Sequence, residues 1–415
     1  MWCNTLRLVV MRLLREGEYG SARRLLSMSR LFRSRFVATL MATAFLAGTL
    51  SVAELFSPQS AADASLASHT RPTASSASRT RSTAVTERSI GYIAYWDQAR
   101  ALRSIGGAGS ALTEVSPSWY APRADGSIVV QQRGEVDDSH TVVKQLQASG
   151  ALFVPALANY RDKTWDPTVV AAILADPAKR REHVNRIRTL VRHGGFDGID
   201  IDYEHLTAAD RAPFTAFVTA LAAGLHADGK LLSVTLHPKT SEPGPQPKNQ
   251  AQDYAAIGRV ADEVRVMLYD YHWDTSTPGA LAPIGWVRSV MSWAVTQVPR
   301  RKLVLGVATY GYDWAGTRGN SLMWTEVMHR ARAHDATIHY SRTKQAPWFS
   351  YVDNRGRDHV VWFENARSLA AKKTVMRDVG ASGMHYWRLG GEDPAIWLAV
   401  AEAAAAASAA MRPSS

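Results

Sequence analysis

Nine residues, Phe196-Asp197-Gly198-Ile199-Asp200-Ile201-Asp202-Tyr203-Glu204, constrain this chain more than any others. The branched Ile199 and Ile201 favour a strand, and Gly194-Gly195 ahead of them read as the turn that enters it. Side chains on a strand alternate between faces. Asp200, Asp202 and Glu204 therefore share one face, and Ile199, Ile201 and Tyr203 the other. Three stacked carboxyl groups repel one another, and burying them is costly unless they are protonated or hydrogen-bonded. Folding alone does not favour such a row. Its use is to push pKa values apart, so that one acid keeps a proton near neutral pH.

From Ile90 onward, strand-like and helix-like segments alternate, which predicts a parallel sheet. Strands are expected at Ile90–Trp96, Glu114–Tyr120, Leu152–Ala158, the acidic stretch, Leu231–His237, Glu263–Tyr269, Lys302–Tyr310 and Ser382–Trp387. Helices are expected at Ser139–Ala148, Ala178–His193, Ala208–Ala227, Asp253–Val260, Pro283–Val298, Asn365–Val379 and Pro394–Ala407. Eight strands with intervening helices make an α/β (β/α)8 TIM barrel, with the acidic strand fourth. The gap between strands seven and eight is too long for one helix. It reads as a small α+β insertion at about 312–363, with a hairpin turn near Asn354-Arg355-Gly356.

The ends differ in composition. Residues 1–88 hold 12 Arg and 5 acids, so most of the chain's net charge of +11 lies outside the barrel, and no nucleic-acid-binding motif is present. Basic residues precede an uncharged run from Phe36 to Ala53, the order of a secretory signal; the same run is just long enough to anchor the chain in a membrane. Residues 1–56 are thus expected to be a basic leader with a signal peptide or signal anchor. Residues 57–88, rich in Ser, Ala, Thr and Arg, are expected to form a disordered linker. The barrel domain is expected over 89–408 and a short tail over 409–415. The single cysteine, Cys3, lies in the leader, and no cluster has metal-ligand spacing.

Asp197-Gly198-Ile199-Asp200-Ile201-Asp202-Tyr203-Glu204 resembles the DGxDxDxE signature of family 18 glycoside hydrolases. The likeness extends over roughly Ile90–Ala405: Met267-Leu268-Tyr269-Asp270 is similar to the family's MxYD, Tyr310-Gly311-Tyr312 to its YG, and Trp387 to its subsite-floor tryptophan. Ser116–Tyr120, Asp125–Ser127, Ala308–Trp314 and Val361–Arg367 resemble the branch of bacterial spore-cortex-lytic and wall-active N-acetylglucosaminidases.

The resemblance implies cleavage of β-1,4 bonds at N-acetylglucosamine in chitin or peptidoglycan, without a cofactor. Glu204, the last acid of the strand, faces the C-terminal mouth and is assigned as general acid and then base. In this family the substrate's own 2-acetamido group replaces the usual carboxylate nucleophile. Asp202 is suited to accept the acetamide N–H, Asp200 to raise its neighbours' pKa values, and Tyr269, by resemblance, to donate to the acetamide oxygen. Met267 shapes the pocket, and Asp270 is a substrate contact by resemblance. Trp387 is expected beneath the sugar, with Tyr92, Trp96, Tyr310 and Trp314 as further cleft aromatics. Trp119 and Tyr120 divide evenly between cleft and core. Asp197 is expected to be structural, Trp348 and Trp362 to belong to the insertion's own core, and His205 and His237 to be polar residues without a catalytic part.

A lectin-like barrel without turnover, and an endo-acting enzyme on protein-linked glycans, are the competing readings. The expected partner is a polysaccharide containing N-acetylglucosamine, and a secreted or wall-associated monomer is expected, or one anchored through residues 36–53.

Overall fold

The computed structural model describes residues 87–108, 111–131 and 150–400. The expected leader or anchor, the linker up to residue 86, the helix at 139–148 and the tail at 409–415 lie outside the described residues.

The first seven staves of the barrel are β1 (Arg88–Ala94), β2 (Glu114–Pro122), β3 (Ala156–Ala158), β4 (Gly198–Asp202), β5 (Leu231–Leu236), β6 (Glu263–Met267) and β7 (Leu303–Ala308). Five strands of an inserted sheet follow: β8 (Tyr310–Ala315), β9 (Arg318–Met323), β10 (His339–Ser341), β11 (Ala346–Val352) and β12 (Asp358–Phe363). The eighth stave is β13 (Gly383–Trp387). Each stave pairs in parallel with its predecessor, and β13 pairs with β1 to close the ring. Leu231–Leu236 and Leu303–Ala308 are near-continuous apolar runs because parallel staves are covered on both faces.

The helices are α1 (Gln98–Ala108), α2 (Pro167–Ala175), α3 (Pro177–His193), α4 (Arg211–Ala227), α5 (Tyr254–Val260), α6 (Ile284–Gln297), α7 (Trp324–Ala333) and α8 (Ala366–Val379). Asp-Pro pairs start α2 and α3. The Asp166 and Asp176 carboxylates each accept two backbone N–H groups, and the proline supplies a first residue that needs no such bond. The chain is helical again at 395–400, and the rest of the expected last helix lies outside the described residues.

The acidic strand is fixed from behind. Ile199, Ile201 and Tyr203 are buried among Phe214, Phe217 and Leu221 of α4. The Tyr203 hydroxyl lies 2.6 Å from His183 Nε2, and His183 Nδ1 lies 2.8 Å from the Gly126 carbonyl. A carbonyl only accepts, so Nδ1 carries the proton and Tyr203 donates to Nε2. Burial holds His183 down to about 4, so this link stays neutral at ordinary pH.

Three details depart from the sequence expectation. Strand three is split into Leu152–Phe153 and Ala156–Ala158, on either side of a segment containing Pro155, which cannot donate to a ladder. Helix α2 lies between Ala158 and Ala178, where no element is expected. Strand seven stops at Ala308, and Tyr310 opens the inserted sheet, two residues earlier than expected. That sheet is antiparallel in the order β9-β8-β12-β11-β10. Gly311 is required where β8 crosses β12, since a Cβ there would meet Phe363 Cβ at 2.4 Å.

Candidate active site

Register sets the depth of each acid. Ala156 pairs with Asp200 and Ala158 with Asp202, after which the β3–β4 ladder ends. Glu204 lies beyond it, and its main chain is held by a side chain instead. Its N–H donates to Asn159 Oδ1 at 2.8 Å, and its carbonyl accepts from Asn159 Nδ2 at 3.0 Å.

Asp200 is the deepest acid and fully buried. Thr235 Oγ1 donates to its Oδ2 at 2.9 Å, and Arg265 Nε lies 3.8 Å from its Oδ1. Arg265 is itself fully buried on the inward face of β6. It donates to Ser116 Oγ at 2.9 Å, to Glu263 at 3.1 Å and to Glu114. Burial works against its charge, but Glu114, Asp200 and Glu263 outweigh that and hold the guanidinium above its ordinary value. Arg265 thus sits at the foot of the row, and Arg88 pairs with Glu263 from the outside at 3.0 Å.

The row loses cationic company as it rises. Burial raises the Asp202 carboxyl well above the usual range, Glu204 and Asp200 add to the rise, and Tyr92 and Arg265 oppose it. Glu204, 12% exposed, is pushed up to about 8, first by burial; Lys248 pulls it down and Asp270 pushes it up. At neutral pH Glu204 therefore carries a proton that it can give away. His237 Nε2 stands 3.3 Å from Glu204 Oε2, and His205 Nε2 4.0 Å. Burial, then Asp202 and Glu204, raise Tyr269, so its phenol remains a donor.

Two walls flank this row. On one side Trp387 meets Tyr92 edge-on with ring centres 4.9 Å apart, and Trp96 at 6.2 Å. Trp96 continues to Tyr160 at 5.6 Å, Tyr160 to Trp165 at 5.0 Å and Trp165 to His205 at 5.9 Å. Tyr160 and Trp165 are cross-strand partners in a two-stranded hairpin just after β3. On the other side Asp270, with φ +54°, accepts from the Tyr310 hydroxyl at 2.6 Å and the Tyr312 hydroxyl at 3.3 Å. Burial raises Asp270 to about 6 against those two hydrogen bonds. Tyr310, Tyr312 and Trp314 of β8 form one apolar cluster against which Tyr269 and Trp387 pack.

The structure brings together Glu204, Asp202, Asp200, Tyr269, Asp270, Tyr92, Trp96, Tyr310 and Trp387, with Met267 buried at the end of β6. It does not bring Trp119 and Tyr120 to them, which corrects their place among the cleft candidates. Both belong to the core outside the barrel, where Trp119 meets Phe153 at 5.6 Å and Tyr120 meets Phe196 at 6.0 Å. The β2–β3 register slips between Ser118 and Tyr120, so strict alternation fails there. Asp197 braces the neighbouring strand by accepting the Phe153 N–H at 2.8 Å. Sequence reading passed over Asn159, Arg265, Lys248, Tyr160, Trp165 and the buried, neutral His385, held down to about 3 by burial and then by Arg265. A charged residue alternating with Val264 and Val266 was the available signal for Arg265.

A closed (β/α)8 barrel with an acid row climbing its fourth stave to a protonated glutamate is the scaffold of a glycosidase. The model of glycosyl hydrolases family 18 matches residues 89–392, and the chain belongs to that family. It is 33% identical over 282 residues to the cortical fragment-lytic enzyme of Bacillus subtilis (strain 168), covering 62% of this chain and 65% of that one. The chain spans about three fifths of the length of the curated relatives it matches. The spore cortex-lytic enzyme SleL of Bacillus megaterium QM B1551 superposes with a TM-score of 0.69 at 29% identity, covering 76% of this chain and 73% of that one. A chitinase from Chromobacterium violaceum ATCC 12472 superposes with a TM-score of 0.71 at 26% identity, covering 76% and 98%.

Proposed function

We propose that this glycosidase is an extracytoplasmic enzyme that hydrolyses β-1,4 bonds following N-acetylglucosamine, with retention, in bacterial wall glycan. The observation that carries the reading is the acid row itself: Asp200 and Asp202 on β4, with Glu204, 12% exposed, at its top and Tyr269 beside them. Relatives named for lysis of spore cortex match at higher identity than the chitinase, which favours wall glycan over chitin. The basic and then apolar order of residues 1–53 supports export, by a cleaved signal or an anchor.

Glu204 gives its proton to the glycosidic oxygen as the bond from that oxygen to the anomeric carbon breaks. The acetamido carbonyl oxygen of the same sugar bonds to that carbon from the opposite face, forming an oxazolinium ion. Asp202 accepts the acetamide N–H and so orients the attacking group, while the Tyr269 hydroxyl donates to the acetamide oxygen. The sugar ring rests on Trp387, where its apolar face is removed from water. Glu204, now a carboxylate, takes a proton from water as that water attacks the same carbon and the bond from that carbon to the acetamido oxygen breaks, restoring the acetamide, so two inversions give retention.

The test is to incubate the protein and its Glu204→Gln variant with peptidoglycan and with chitooligosaccharides, reading products by mass spectrometry. The expected result is release of N-acetylglucosamine-ended fragments from peptidoglycan, reduced roughly 10²- to 10⁴-fold in the variant. Preferential cutting of chitin would replace the substrate, and binding without cutting by either protein would make this a lectin.

A further inference from the structure

His237 has no part in the reaction as described above, yet it is the side chain nearest Glu204 on the β5 side. It follows directly on β5, and its main chain is pinned at both ends. Its N–H donates to Gln252 Oε1 at 2.8 Å, and its carbonyl accepts from the Tyr254 hydroxyl at 2.7 Å. Tyr254 is fully buried at the start of α5, so the imidazole is carried on a rigid mount. The ring is almost wholly buried, with Nε2 3.3 Å from Glu204 Oε2. Nε2 makes no hydrogen bond to any described residue. The distance is within reach of a hydrogen bond, and catalytic hydrogen bonds commonly tighten when substrate binds.

Resting on the proposed reaction, we infer that His237 is the positioning residue of Glu204. Its Nε2–H engages Oε2, which leaves Oε1 to face the substrate and to exchange the proton. The imidazole is neutral, held well below its usual range by burial, then by Lys248 and by His205. A neutral N–H donor adds no charge to a carboxylic acid, but it stabilises the carboxylate that remains once the proton has gone to the leaving oxygen. His237 thereby makes Glu204 a better acid in the first step. It also fixes which oxygen waits for water in the second. The ionisable groups that bear on Glu204 are Lys248, Asp270, Asp202, Tyr269 and His205; those that bear on His237 are Lys248 and His205.

The experiment compares the whole protein with its His237→Leu and His237→Gln variants. Values of kcat/KM are measured against pH on triacetylchitotriose and on a 4-nitrophenyl glycoside of the same sugar, whose leaving group departs with little protonation. Loss of the donor in His237→Leu should lower kcat/KM on the oligosaccharide about tenfold to a hundredfold, the range of a hydrogen bond to a charged group. The nitrophenyl substrate should lose far less. With the carboxylate less stabilised, Glu204 keeps its proton to higher pH, so the alkaline limb should move up by about one pH unit. Glutamine, whose amide N–H reaches the same oxygen, should restore most of both effects. Equal losses on the two substrates with an unmoved limb would overturn the role. If the leucine variant does not fold, His237→Asn, too short to reach Oε2, must show the same profile, and a wild-type profile there overturns the inference. Glu204→Gln run in parallel separates the two readings. Glu204-dependent cutting with an unmoved limb sinks only the role of His237, whereas undiminished cutting by Glu204→Gln sinks both.

Discussion

Two buried carboxylates, Glu204 at the barrel mouth and Asp313 in the inserted sheet, have been given opposite company. Asp313 Oδ1 lies 2.7 Å from His359 Nδ1, and its Oδ2 accepts from the Tyr351 hydroxyl at 2.6 Å and from Arg330 at 2.5 Å. His359 and His334 stack on either side of the Tyr351 ring, at 4.5 and 4.2 Å. Both carboxyl oxygens are engaged, and the cluster ties β8, α7, β11 and β12 together. Glu204 meets neutral imidazoles, a phenol and other acids, and among the described residues the cation that bears on it is Lys248. An acid tied to an arginine is cement; one buried without a paired cation is kept protonated, which makes it a reagent. The acid row passes from one condition to the other along a single strand, from Asp200 beside Arg265 to Glu204 at the rim.

That contrast is broken most severely at Arg265. Arg265→Met leaves Glu114, Glu263 and Asp200 without their shared cation in a dry barrel. Removing one partner of a buried ion pair costs about 3–5 kcal/mol, a loss that urea unfolding would report. A variant as stable as wild type would mean that those acids simply take up protons. Asp313→Asn comes next. Arg330 is about one third exposed, so water recovers part of its lost interaction, and a destabilisation of about 2 kcal/mol is expected. Turnover per folded molecule should stay unchanged, because the cluster holds the insertion together and touches no reacting atom. Lys248→Met gives the smallest effect and sharpens the picture of the mouth. Glu204 must carry its proton to act, so kcat/KM falls as pH rises through its value of about 8. Lys248 pulls that value down, so its removal should move the alkaline limb upward, by roughly half a pH unit, in a pH–rate profile. A downward move would place the lysine's influence elsewhere.

How much of this could be read beforehand depended on whether a residue's neighbours are close in sequence. The acid row was legible because strand alternation needs only five consecutive residues, and the eight staves because each is a short run of branched apolar side chains. Trp119 and Tyr120 were not, since a slip in register between Ser118 and Tyr120 sends two successive aromatics to the outer core. Two partners of Arg265, Ser116 and Glu114, lie on β2, 149 and 151 residues away in the chain, which no local pattern reports. Tyr160 and Trp165 were missed because their hairpin is only two pairs long, with Asp162 and Lys163 at positive φ in its turn. His205 and His237 were visible as residues after strand ends, but nothing in the sequence shows that both imidazoles lean on the same carboxyl group.

The amide of Asn159 counterfeits a rung of the sheet. Its side chain presents one acceptor and one donor, as a neighbouring strand's peptide would, and so extends the β3–β4 ladder by one step without any strand to carry it. The reactive glutamate is thereby registered to the rigid wall of the barrel and not to the hairpin that begins one residue later. Everything from Tyr160 to Trp165 can then be lengthened, shortened or redecorated to suit a different glycan while the proton donor keeps its address.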